Sequence, residues 1–429
     1  GVVILGTDPK NIYRAESRKD FSKLLDECNI GQPAWGEANT ITQARTLARS
    51  IGYPILVRPS FVLSGKGMSV LESEQSLVSY FSALEKHTAG SRTLVISKFI
   101  SDAVECDVDA VACRGSIVRY ALSEHVEPAG VHSGDSTLVY PSHTFSLAIR
   151  TEIERQVQMI VSKLKVHGPC NIQFLVSRGI PYVIECNLRA SRSVPFVSKI
   201  RHDNFITTST NVILGLPIKS LEHDISLPYL GVKAPQFSFQ KLKGADPVLR
   251  VEMRSTGEVA SFGKNKKEAF LAAIMATGVL YPTKKAAFVS LGGANAKIRA
   301  IKQCQMLMSL GYTIYSTSGT HMFLKEHGVV SVKVGKLYEG VHPTFEDLLK
   351  SAMIDFAIVI PEGENDTDRR RFMHGLSDGY YMRRMSVDAK IPIFTALSTS
   401  ELFISSLHIV PAALPILAWD EYSIDKHYL

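Results

Sequence analysis

The sequence predicts an α/β protein built from two or three domains. Its 429 residues are more than one hydrophobic core usually organises. Short apolar stretches typical of strands alternate with longer stretches typical of helices along most of the chain. The composition, with 45% hydrophobic and 21% charged residues, is ordinary for a globular protein. Together these observations favour several packed layers of strands and helices.

The first sixty residues predict two strands with a helical region between them. Residues 1–6 have the pattern of a buried strand with nothing before it, so we expect the sequence to be a piece of a longer polypeptide. Residues 14–49 have a largely helical pattern that is interrupted near Gln32 and Pro33. Residues 51–60 then predict a short apolar strand.

The last third of the chain predicts a separate domain. Residues 281–285 combine a turn with charge between two apolar segments and are the best candidate linker. Beyond them we expect a strand at 287–291, a helix at 297–310, a strand at 313–315 and a helix at 320–326. Such alternation over about 145 residues is typical of a compact domain with a parallel sheet.

Charge and cysteine content narrow the class of protein. The formal net charge is +7, but Lys and Arg are dispersed apart from the run at 369–371. We therefore favour a solvated basic face, or pockets for anionic substrates, over binding to nucleic acid or membrane. No apolar run reaches the roughly 18 residues that would span a bilayer. The cysteines lack a CxxC pair and metal-ligand spacing, which predicts a reducing compartment; they are Cys28, Cys106, Cys113, Cys170, Cys186 and Cys304.

The first candidate site is a polar stretch after the second predicted strand. Arg58 is followed by Ser64, Gly65, Lys66 and Gly67. Glycines let a backbone approach phosphate oxygens closely, and an adjacent cation compensates the phosphate charge. The stretch is not a Walker A loop, because the pattern G-x-x-x-x-G-K-[ST] is absent. A plain hairpin turn explains it equally well.

The second candidate site is a hairpin that carries oxygen ligands. Residues 171–174 and 183–187 predict two adjacent strands. Glu185 and Asn187 are two positions apart and leave the same face, where Gln173 can meet them from the partner strand. One carboxylate with two amide oxygens suits Mg²⁺, which takes its remaining ligands from water and phosphate. The alternative, solvent-facing strand residues, is less favoured because a charge inside an apolar run is costly without a partner.

Two arginines and two polar segments supply further candidates. Arg189 and Arg192 follow the candidate metal carboxylate, where they can clamp a phosphoryl group; taken alone, a pair of surface cations explains them better.

The Gly-rich polar loop at 124–136 is expected to lie outside the core. Residues 105–109 alternate acidic and apolar side chains, which predicts a half-buried strand with its carboxylates on one face. Those carboxylates are either ribose ligands or solvated edge residues.

Five segments, in the right order and spacing, resemble those of carbamoyl phosphate synthetase. The stretch YPILVRPSFVLSGKGM resembles the first signature of that family, and VIECNLRASRSVPFVSK resembles the second. DAVECDVDAV, EHVEPAGVHSGDS and EMRSTGEV also resemble segments of the family. The resemblance is to the C-terminal, carbamate-phosphorylating half of the large subunit, and it extends over essentially the whole chain.

The resemblance implies an ATP-grasp fold that uses Mg²⁺ or Mn²⁺ and transfers a phosphoryl group from ATP to carbamate, which yields carbamoyl phosphate and ADP. It implies that Gln173, Glu185 and Asn187 ligate the metal. It also implies that Arg189 and Arg192 face the carbamate and the transferring phosphoryl group. The residues that it implies for ATP binding are Arg58, Lys98, Ile100, Glu105 (on the ribose), Gly130, Val131, His132, Ser133, Gln173 and Glu185. Phosphoryl transfer is mainly positioning and charge neutralisation, so no nucleophilic side chain is required.

The resemblance also implies a division into four segments and several partners. Residues 1–31 would end a pre-ATP-grasp lobe, 32–100 would be the ATP-grasp lid, 101–282 the main ATP-grasp subdomain, and 283–429 a Rossmann-like, methylglyoxal-synthase-like allosteric domain. The other synthetase half and a glutaminase are expected partners outside this sequence. We expect a pyrimidine-pathway enzyme in the cytoplasm, with the arginine or urea pathway and a mitochondrial location as alternatives. Without its first lobe, the piece is expected to fold but to catalyse weakly.

The allosteric domain is expected to bind a phosphorylated nucleotide, with a uridine nucleotide favoured. Residues 316–320, STSGT, lie between a predicted strand and a predicted helix, where hydroxyls and helix N-terminal amides can hold a phosphate. The resemblance implies Lys297, Thr317, Thr320 and Lys336 as effector ligands. A simple helix N-cap by one of the threonines is the alternative.

One segment departs from the family, and two other functions compete with the main one. Residues 360–362 read Ile-Pro-Glu where some members have an Asn-Thr-Thr run, which leaves the identity of the effector open. A different ATP-grasp ligase, such as a biotin carboxylase or a carboxylate–amine ligase, is disfavoured by the full set of motifs. The remaining alternative is a regulatory, nucleotide-binding module without turnover.

Overall fold

The computed structural model describes residues 4–59, 68–87, 93–219, 227–335, 340–361, 377–414 and 416–422. The chain divides into two units. Unit 1 comprises Gly1–Lys233, Arg250–Met253 and Leu417–Leu429, and unit 2 comprises Ala234–Leu249 and Arg254–Ile416. Compact units need not coincide with sequence domains, so the four segment boundaries given above stay predictions.

Unit 1 contains two sheets and the helices that cover them. Its helices are α1 (Pro9–Glu16), α2 (Arg18–Glu27), α3 (Ile41–Ile51), α4 (Glu74–His87), α5 (Leu147–Lys163), α6 (Val194–Arg201) and α7 (Phe205–Leu214). Its strands are β1 (Trp35–Ala38), β2 (Ile55–Pro59), β3 (Ser69–Leu71), β4 (Leu94–Lys98), β5 (Val104–Cys113), β6 (Ser116–His125), β7 (Leu138–Tyr140), β8 (Gly168–Ser177), β9 (Ile180–Asn187) and β10 (Leu230–Gln236), which continues into unit 2.

The smaller sheet has the order β1-β4-β2-β3, and its core is formed with α3 and α4. Thr40 begins α3 by accepting a hydrogen bond from the Gln43 amide, and Gly52 ends it at φ 80°. The predicted strand at 51–60 is confirmed as β2. The helical prediction for 14–49 is wrong at β1, because Trp35–Ala38 pairs antiparallel with β4. A four-residue strand held by a partner some 60 residues away leaves little local periodicity to detect.

The larger sheet holds the predicted hairpin. Within unit 1 its strand order is β10-β7-β6-β5-β8-β9, and α5 packs against β6 and β9 as part of a continuous apolar core. Strands β8 and β9 turn at Arg178 and Gly179, both with positive φ, as a two-residue hairpin requires. Gln173 lies opposite Glu185 in the register, so the predicted juxtaposition across the two strands is confirmed.

Unit 2 is a parallel-sheet domain, as predicted. Its strands are β11 (Gly257–Gly263), β12 (Ala286–Leu291), β13 (Thr313–Thr317), β14 (Val332–Val334), β15 (Phe356–Ile360) and β16 (Ile393–Phe394). Its helices are α8 (Lys266–Ala276), α9 (Ala294–Ser309), α10 (Ser318–Glu326), α11 (Phe345–Lys350), α12 (Asp378–Asp388) and α13 (Leu397–Ser406). The order β14-β13-β12-β15-β16 is parallel throughout. The rings of Phe288 and Phe345 pack in its core with centroids 4.2 Å apart and planes tilted by 40°.

Three burial expectations are wrong. Ile4 and Leu5 lie outside any strand and are 59% and 63% exposed, while Val2 and Val3 fall outside the described residues. Residues 105–109 are buried throughout rather than half-buried, because strands pair on both sides of β5 and side chains cover both faces. The loop at 124–136, expected outside the core, buries several of its polar side chains.

Within the described residues, no helix combines the length and the apolar character that crossing a bilayer would require.

Candidate functional site

A cavity of about 770 Å³ in unit 1 brings the predicted substrate and metal residues together. Its walls come from the smaller sheet, from β5, β8 and β9, and from the loops that follow β6 and β9. Every residue predicted for ATP, metal or the phosphoryl group lines it: Arg58, Lys98, Ile100, Glu105, Gly130, Val131, His132, Ser133, Gln173, Glu185, Asn187, Arg189 and Arg192. The predicted stretch 64–67 lies outside the described residues.

The hairpin places three oxygen-bearing side chains at one end of this cavity. Glu185 accepts a hydrogen bond from Asn187 Nδ2 at 3.0 Å. The Gln173 amide donates to Ser133 Oγ at 2.7 Å, which leaves its Oε1 as the group available for a cation. A carboxylate with two amide oxygens is the hard, all-oxygen donor set that Mg²⁺ prefers, so these residues fit a divalent cation.

Glu185 is held in its charged form. Burial alone would raise the pKa of Glu185, but the charge of Arg18 and the hydrogen bonds from Asn187 and Arg18 outweigh it and lower the pKa to about 2. Arg18 stands at the start of α2; it forms an ion pair with Glu185 and donates to the Ile184 carbonyl at 2.9 Å. Sequence reasoning missed Arg18, because it lies 167 positions from Glu185 and its local pattern is that of an ordinary helix-surface cation.

Arg58 brings an unsatisfied cation to the cavity wall. Its side chain is buried, and burial together with the charge of Arg18 lowers the pKa of Arg58 to about 9, against a smaller opposing effect of Glu185. Among the described residues, Arg58 Nε is a buried nitrogen without a hydrogen-bond partner. Such a group costs free energy until an acceptor arrives. A phosphate oxygen would satisfy it.

Lys98 lines the cavity, and its ammonium group also binds two backbone carbonyl oxygens. Lys98 Nζ donates to the carbonyl oxygens of Gly52 and Tyr53, at 3.0 and 2.8 Å. These bonds tie β4 to the turn that precedes β2. The side chain therefore anchors the smaller sheet with two of its three N–H donors, and the third is left for an acceptor in the cavity.

Glu105 and the loop after β6 form a second polar group in the cavity. The Gly130 amide donates to Glu105 Oε2 at 3.3 Å. Burial raises the pKa of Glu105 to about 7, with the charge of His125 opposing it. Gly130 has φ 95°, and a Cβ there would stand 2.8 Å from Phe99 Cζ, so this close approach needs glycine. Burial also lowers the pKa of His132, whose Nδ1 accepts from the Gly134 amide.

Sequence reasoning named Asp107 among the carboxylates of residues 105–109 and His125 in the polar loop, but it predicted neither their pairing nor the buried Lys233. Asp107 and His125 form a pair at 3.3 Å on β5 and β6. Burial alone would lower the pKa of His125, but the Asp107 carboxylate raises it overall. Lys233 is 1% exposed and donates to the carbonyl oxygens of Ser133 and Gly134, at 3.3 and 3.4 Å. A lysine inside the apolar segment LGVKAPQ of β10 was the available signal.

The arginine pair lies where β9 ends. Arg189 is exposed, and its guanidinium approaches Asn187 Oδ1 at 3.5 Å. Arg192 is half-buried and contacts Met253 Sδ at 3.5 Å. Both side chains line the same cavity as the oxygen set, so cations stand next to the candidate metal position.

The predicted effector residues lie at the turn into α10 in unit 2. Thr317 is the N-cap of α10 but makes no side-chain cap bond; its hydroxyl instead contacts Thr320 Oγ1 and Ser290 Oγ, both at 3.3 Å. Thr320 is buried and accepts from the Leu291 amide. The simple N-cap alternative is therefore wrong for Thr317. A Cβ at Gly319 would lie 3.7 Å from Lys297 Nζ, so this ammonium is beside the turn. Lys336 lies outside the described residues.

Solved structures share the fold of this chain at low identity. A biotin carboxylase from Campylobacter jejuni is 16% identical with a TM-score of 0.51, and covers 62% of this chain and 67% of its own. A 2-oxoglutarate carboxylase biotin carboxylase domain from Hydrogenobacter thermophilus is 14% identical with a TM-score of 0.53, over 64% of this chain and 68% of its own. At these identities the likeness concerns the fold alone. The fold and the cavity together define an ATP-grasp protein with an added Rossmann-like domain.

Sequence comparisons give the family. The family described as carbamoyl-phosphate synthase L chain, ATP binding domain, matches residues 17–221, and the MGS-like domain family matches residues 299–395. The multifunctional protein pyr1-3 of Dictyostelium discoideum is 41% identical over 97% of this chain, and human mitochondrial carbamoyl-phosphate synthase [ammonia] is 39% identical over 94%. The chain belongs to the carbamoyl-phosphate synthase family. It spans only 18% and 27% of the length of these two relatives.

Proposed function

We propose that unit 1 phosphorylates carbamate at the expense of ATP. A carbamate oxygen attacks the γ-phosphorus of ATP, the bond to the β,γ-bridging oxygen breaks, and carbamoyl phosphate and ADP are formed. The observation that carries the proposal is the meeting of an all-oxygen cation site with several guanidinium groups in one cavity. Phosphoryl transfer is catalysed mainly by positioning and charge neutralisation, which such a cavity provides.

The side chains of this cavity have separate tasks in the proposed reaction. Gln173, Glu185 and Asn187 would hold Mg²⁺ or Mn²⁺, both of which take carboxylate and amide oxygens as ligands. The bound cation would neutralise charge on the phosphate oxygens. Arg189 and Arg192 would neutralise the charge that develops on the transferring phosphoryl group and orient the carbamate.

Nucleotide binding is the task of the remaining cavity residues. Arg58 would give its unsatisfied Nε to a phosphate oxygen, since burial has already removed that nitrogen from water. Glu105 would accept a hydrogen bond from a ribose hydroxyl, and it would accept most strongly when its carboxylate is ionised. Gly130 keeps the loop after β6 close to this carboxylate. We propose these residues, with Lys98, Ile100, Val131, His132 and Ser133, as the ATP site.

Formation of ATP from ADP and carbamoyl phosphate tests the proposal directly. The reverse reaction needs no ammonia source, so it isolates the step assigned to unit 1. We expect ATP formation that depends on both carbamoyl phosphate and a divalent cation. A protein that instead cleaves ATP in a biotin- and bicarbonate-dependent way would be another ATP-grasp ligase. A protein that binds nucleotide without either reaction would be a regulatory module, and each of these results would reject the proposal.

The wider assembly is also a proposal. We propose the glutamine-hydrolysing type, in which the other synthetase half and a glutaminase supply carbamate, within the pyrimidine pathway. The multifunctional relatives support this choice, while the human relative carries ammonia in its name. To separate the two types, turnover is compared with glutamine and with ammonium as the nitrogen source, using the protein together with its other synthetase half and glutaminase. We propose a cytoplasmic location, which the unpaired state of all six cysteines supports.

We also propose that the turn into α10 binds the phosphate of a nucleotide effector. Lys297 Nζ lies beside Gly319, and Ser318 Oγ is buried without a hydrogen-bond partner among the described residues. Hydroxyls and amides at a helix start can cradle a phosphate. Thr317→Ala should weaken binding of a uridine nucleotide about tenfold, because a hydrogen bond to a charged group is lost. Calorimetry measures this, with effector-free turnover as the control; unchanged affinity would reject the site.

A further inference from the structure

The segment that carries both arginines has no helix or strand to hold it. Residues 188–193 connect β9 to α6 and contain Arg189 and Arg192. A cation placed for phosphoryl transfer must be fixed to within a fraction of an ångström to be effective. Some other contact has to supply that order.

A single buried carboxylate supplies it. Asp109, on β5, is fully buried, and its Oδ1 accepts from Ser191 Oγ at 2.6 Å and from Asn171 Nδ2 at 3.0 Å. Its Oδ2 accepts from Ser193 Oγ at 2.5 Å. The two serines flank Arg192, so the carboxylate binds the side chains immediately before and after this arginine.

The start of α6 shows that Ser193 is used for this purpose rather than for capping. Ser193 occupies the N-cap of α6, where a serine normally accepts a hydrogen bond from the first turn. Here it makes no side-chain cap bond and gives its hydroxyl to Asp109 instead. The Ser193 amide donates to Ser191 Oγ at 3.2 Å, and the two hydroxyl oxygens are 2.7 Å apart. Ser191 and Ser193 therefore contact each other as well as the Asp109 carboxylate.

We infer that Asp109 is a positioning residue for phosphoryl transfer, which it serves by fixing Arg192 and its neighbour Arg189 through the hydroxyls of Ser191 and Ser193. Asp109 itself does not line the cavity. This inference rests on the proposed function for its effect on rate. Its structural part, the order of residues 188–193, stands independently of that function.

The carboxylate is suited to this task by its acceptor capacity. Three donors converge on two oxygens, and an amide in the same place would present an N–H to at least one of them. Burial raises the pKa of Asp109 to about 6, and the hydrogen bonds from the two serines and Asn171 act in the opposite direction. The same three donors that order the segment therefore favour the ionised form that accepts them.

Asp109→Asn, Ser191→Ala and Ser191→Thr in the full chain test the inference. We expect Asp109→Asn and Ser191→Ala to lower kcat for ATP formation from carbamoyl phosphate and ADP by about 10–100-fold, as small misplacements of reacting groups do. For Asp109→Asn the dissociation constant of Mg-ADP should stay within about twofold, because Asp109 does not line the cavity; Ser191 does line it, so the two Ser191 variants are compared by kcat. Ser191→Thr keeps the hydroxyl and should recover most of the rate.

Asp355→Asn is the matched control, since Asp355 in unit 2 also accepts three hydrogen bonds but does not line the cavity. Its kcat should equal that of the unmodified protein. Hydrogen exchange supplies the readout that does not need turnover: Asp109→Asn should speed exchange in residues 188–193 and leave β8 protected. If the unmodified protein lacks the reaction, the proposed function fails, and exchange alone decides the inference.

Two results would overturn the positioning role. One is an Asp109→Asn protein with normal kcat and normal exchange in residues 188–193. The other is a parallel loss of kcat, Mg-ADP affinity and thermal stability in both Asp109→Asn and Ser191→Ala without recovery in Ser191→Thr. That pattern would mean that Asp109 supports the fold in general.

Discussion

Replacing Glu185 by glutamine separates the proposed metal site from the fold. The substitution keeps the shape of the side chain and removes its negative charge, while Gln173 and Asn187 stay in place. Glu185 is the one carboxylate among the three proposed ligands, so its loss should remove several kcal/mol of transition-state stabilisation. A loss of about 4 kcal/mol corresponds to about a thousandfold in rate. We therefore expect kcat for ATP formation from carbamoyl phosphate and ADP to fall about a thousandfold.

Stability should change far less than rate. The side chains of Arg18 and Glu185 are 18% and 28% exposed, so water screens their ion pair. Screening reduces the roughly 3 kcal/mol that the lowered pKa of Glu185 alone would imply to about 1–2 kcal/mol of the free energy of unfolding. Urea unfolding of the Glu185→Gln protein should therefore show a native fold with a small loss of stability. A large loss of kcat with a small loss of unfolding free energy identifies Glu185 as a metal ligand rather than a structural residue.

Glu152→Gln is the matched control for this experiment. The hydrogen bond from Arg155 lowers the pKa of Glu152 to about 2, so the same charge is removed, but from the surface of α5. Its kcat should stay within about twofold, as for most surface substitutions. A folded Glu185→Gln protein that keeps more than about a tenth of the normal kcat would refute the metal assignment, because the worked loss is about a thousandfold.

Two further predictions concern pH and the packing of unit 2. Burial raises the pKa of Glu105 to about 7 from its ordinary value of 4.5, so the folded state favours the protonated side chain. This preference stabilises the fold fully below pH 4.5, and the stabilisation is lost as the pH rises through 7. Glu105→Gln should therefore gain stability relative to the unmodified protein between pH 5 and 8 in urea unfolding, and a constant difference would contradict this. Arg384 donates to the carbonyl oxygens of Phe239, Leu242 and Ala245 at 3.1 Å each. All three bonds come from Nη1, while Nε and Nη2 donate to Asp388. Arg384→Lys cannot keep both sets of contacts and should lower the free energy of unfolding by about 1–3 kcal/mol; a loss under about 0.5 kcal/mol would contradict the account.

Local patterns were enough to predict the elements that carry most of the cavity. The hairpin of β8 and β9 has a clear period and a turn between its strands, so its existence and turn followed from the sequence, whereas the bulge between Gln173 and Phe174 that brings Gln173 opposite Glu185 did not. The parallel sheet of unit 2 was predicted from strand and helix alternation, with α9 and β12 within a few residues of their observed bounds. Such elements are specified by short stretches of chain, which makes them visible without tertiary information.

What local patterns could not give is pairing over long distances. Strand β1 exists because β4 pairs with it, and Arg18 reaches the cavity only through the packing of α2 beside β9. The burial of residues 105–109 likewise depends on strands that pair with β5 on both sides. The role inferred for Asp109 has the same origin, since its partners lie 62 to 84 positions away along the chain.

The Arg18–Glu185 ion pair determines how a metal would bind at this site. Glu185 Oε1 accepts from Asn187 and Oε2 contacts Arg18, but a carboxylate offers about four lone-pair positions, so both contacts leave room for a cation. Because Arg18 holds the pKa of Glu185 near 2, the carboxylate is already ionised at any physiological pH. Metal binding through Glu185 should therefore release no proton from this residue. The pH dependence of the reaction should then come from other groups, and Glu105, whose pKa burial raises to about 7, is the candidate on the nucleotide side.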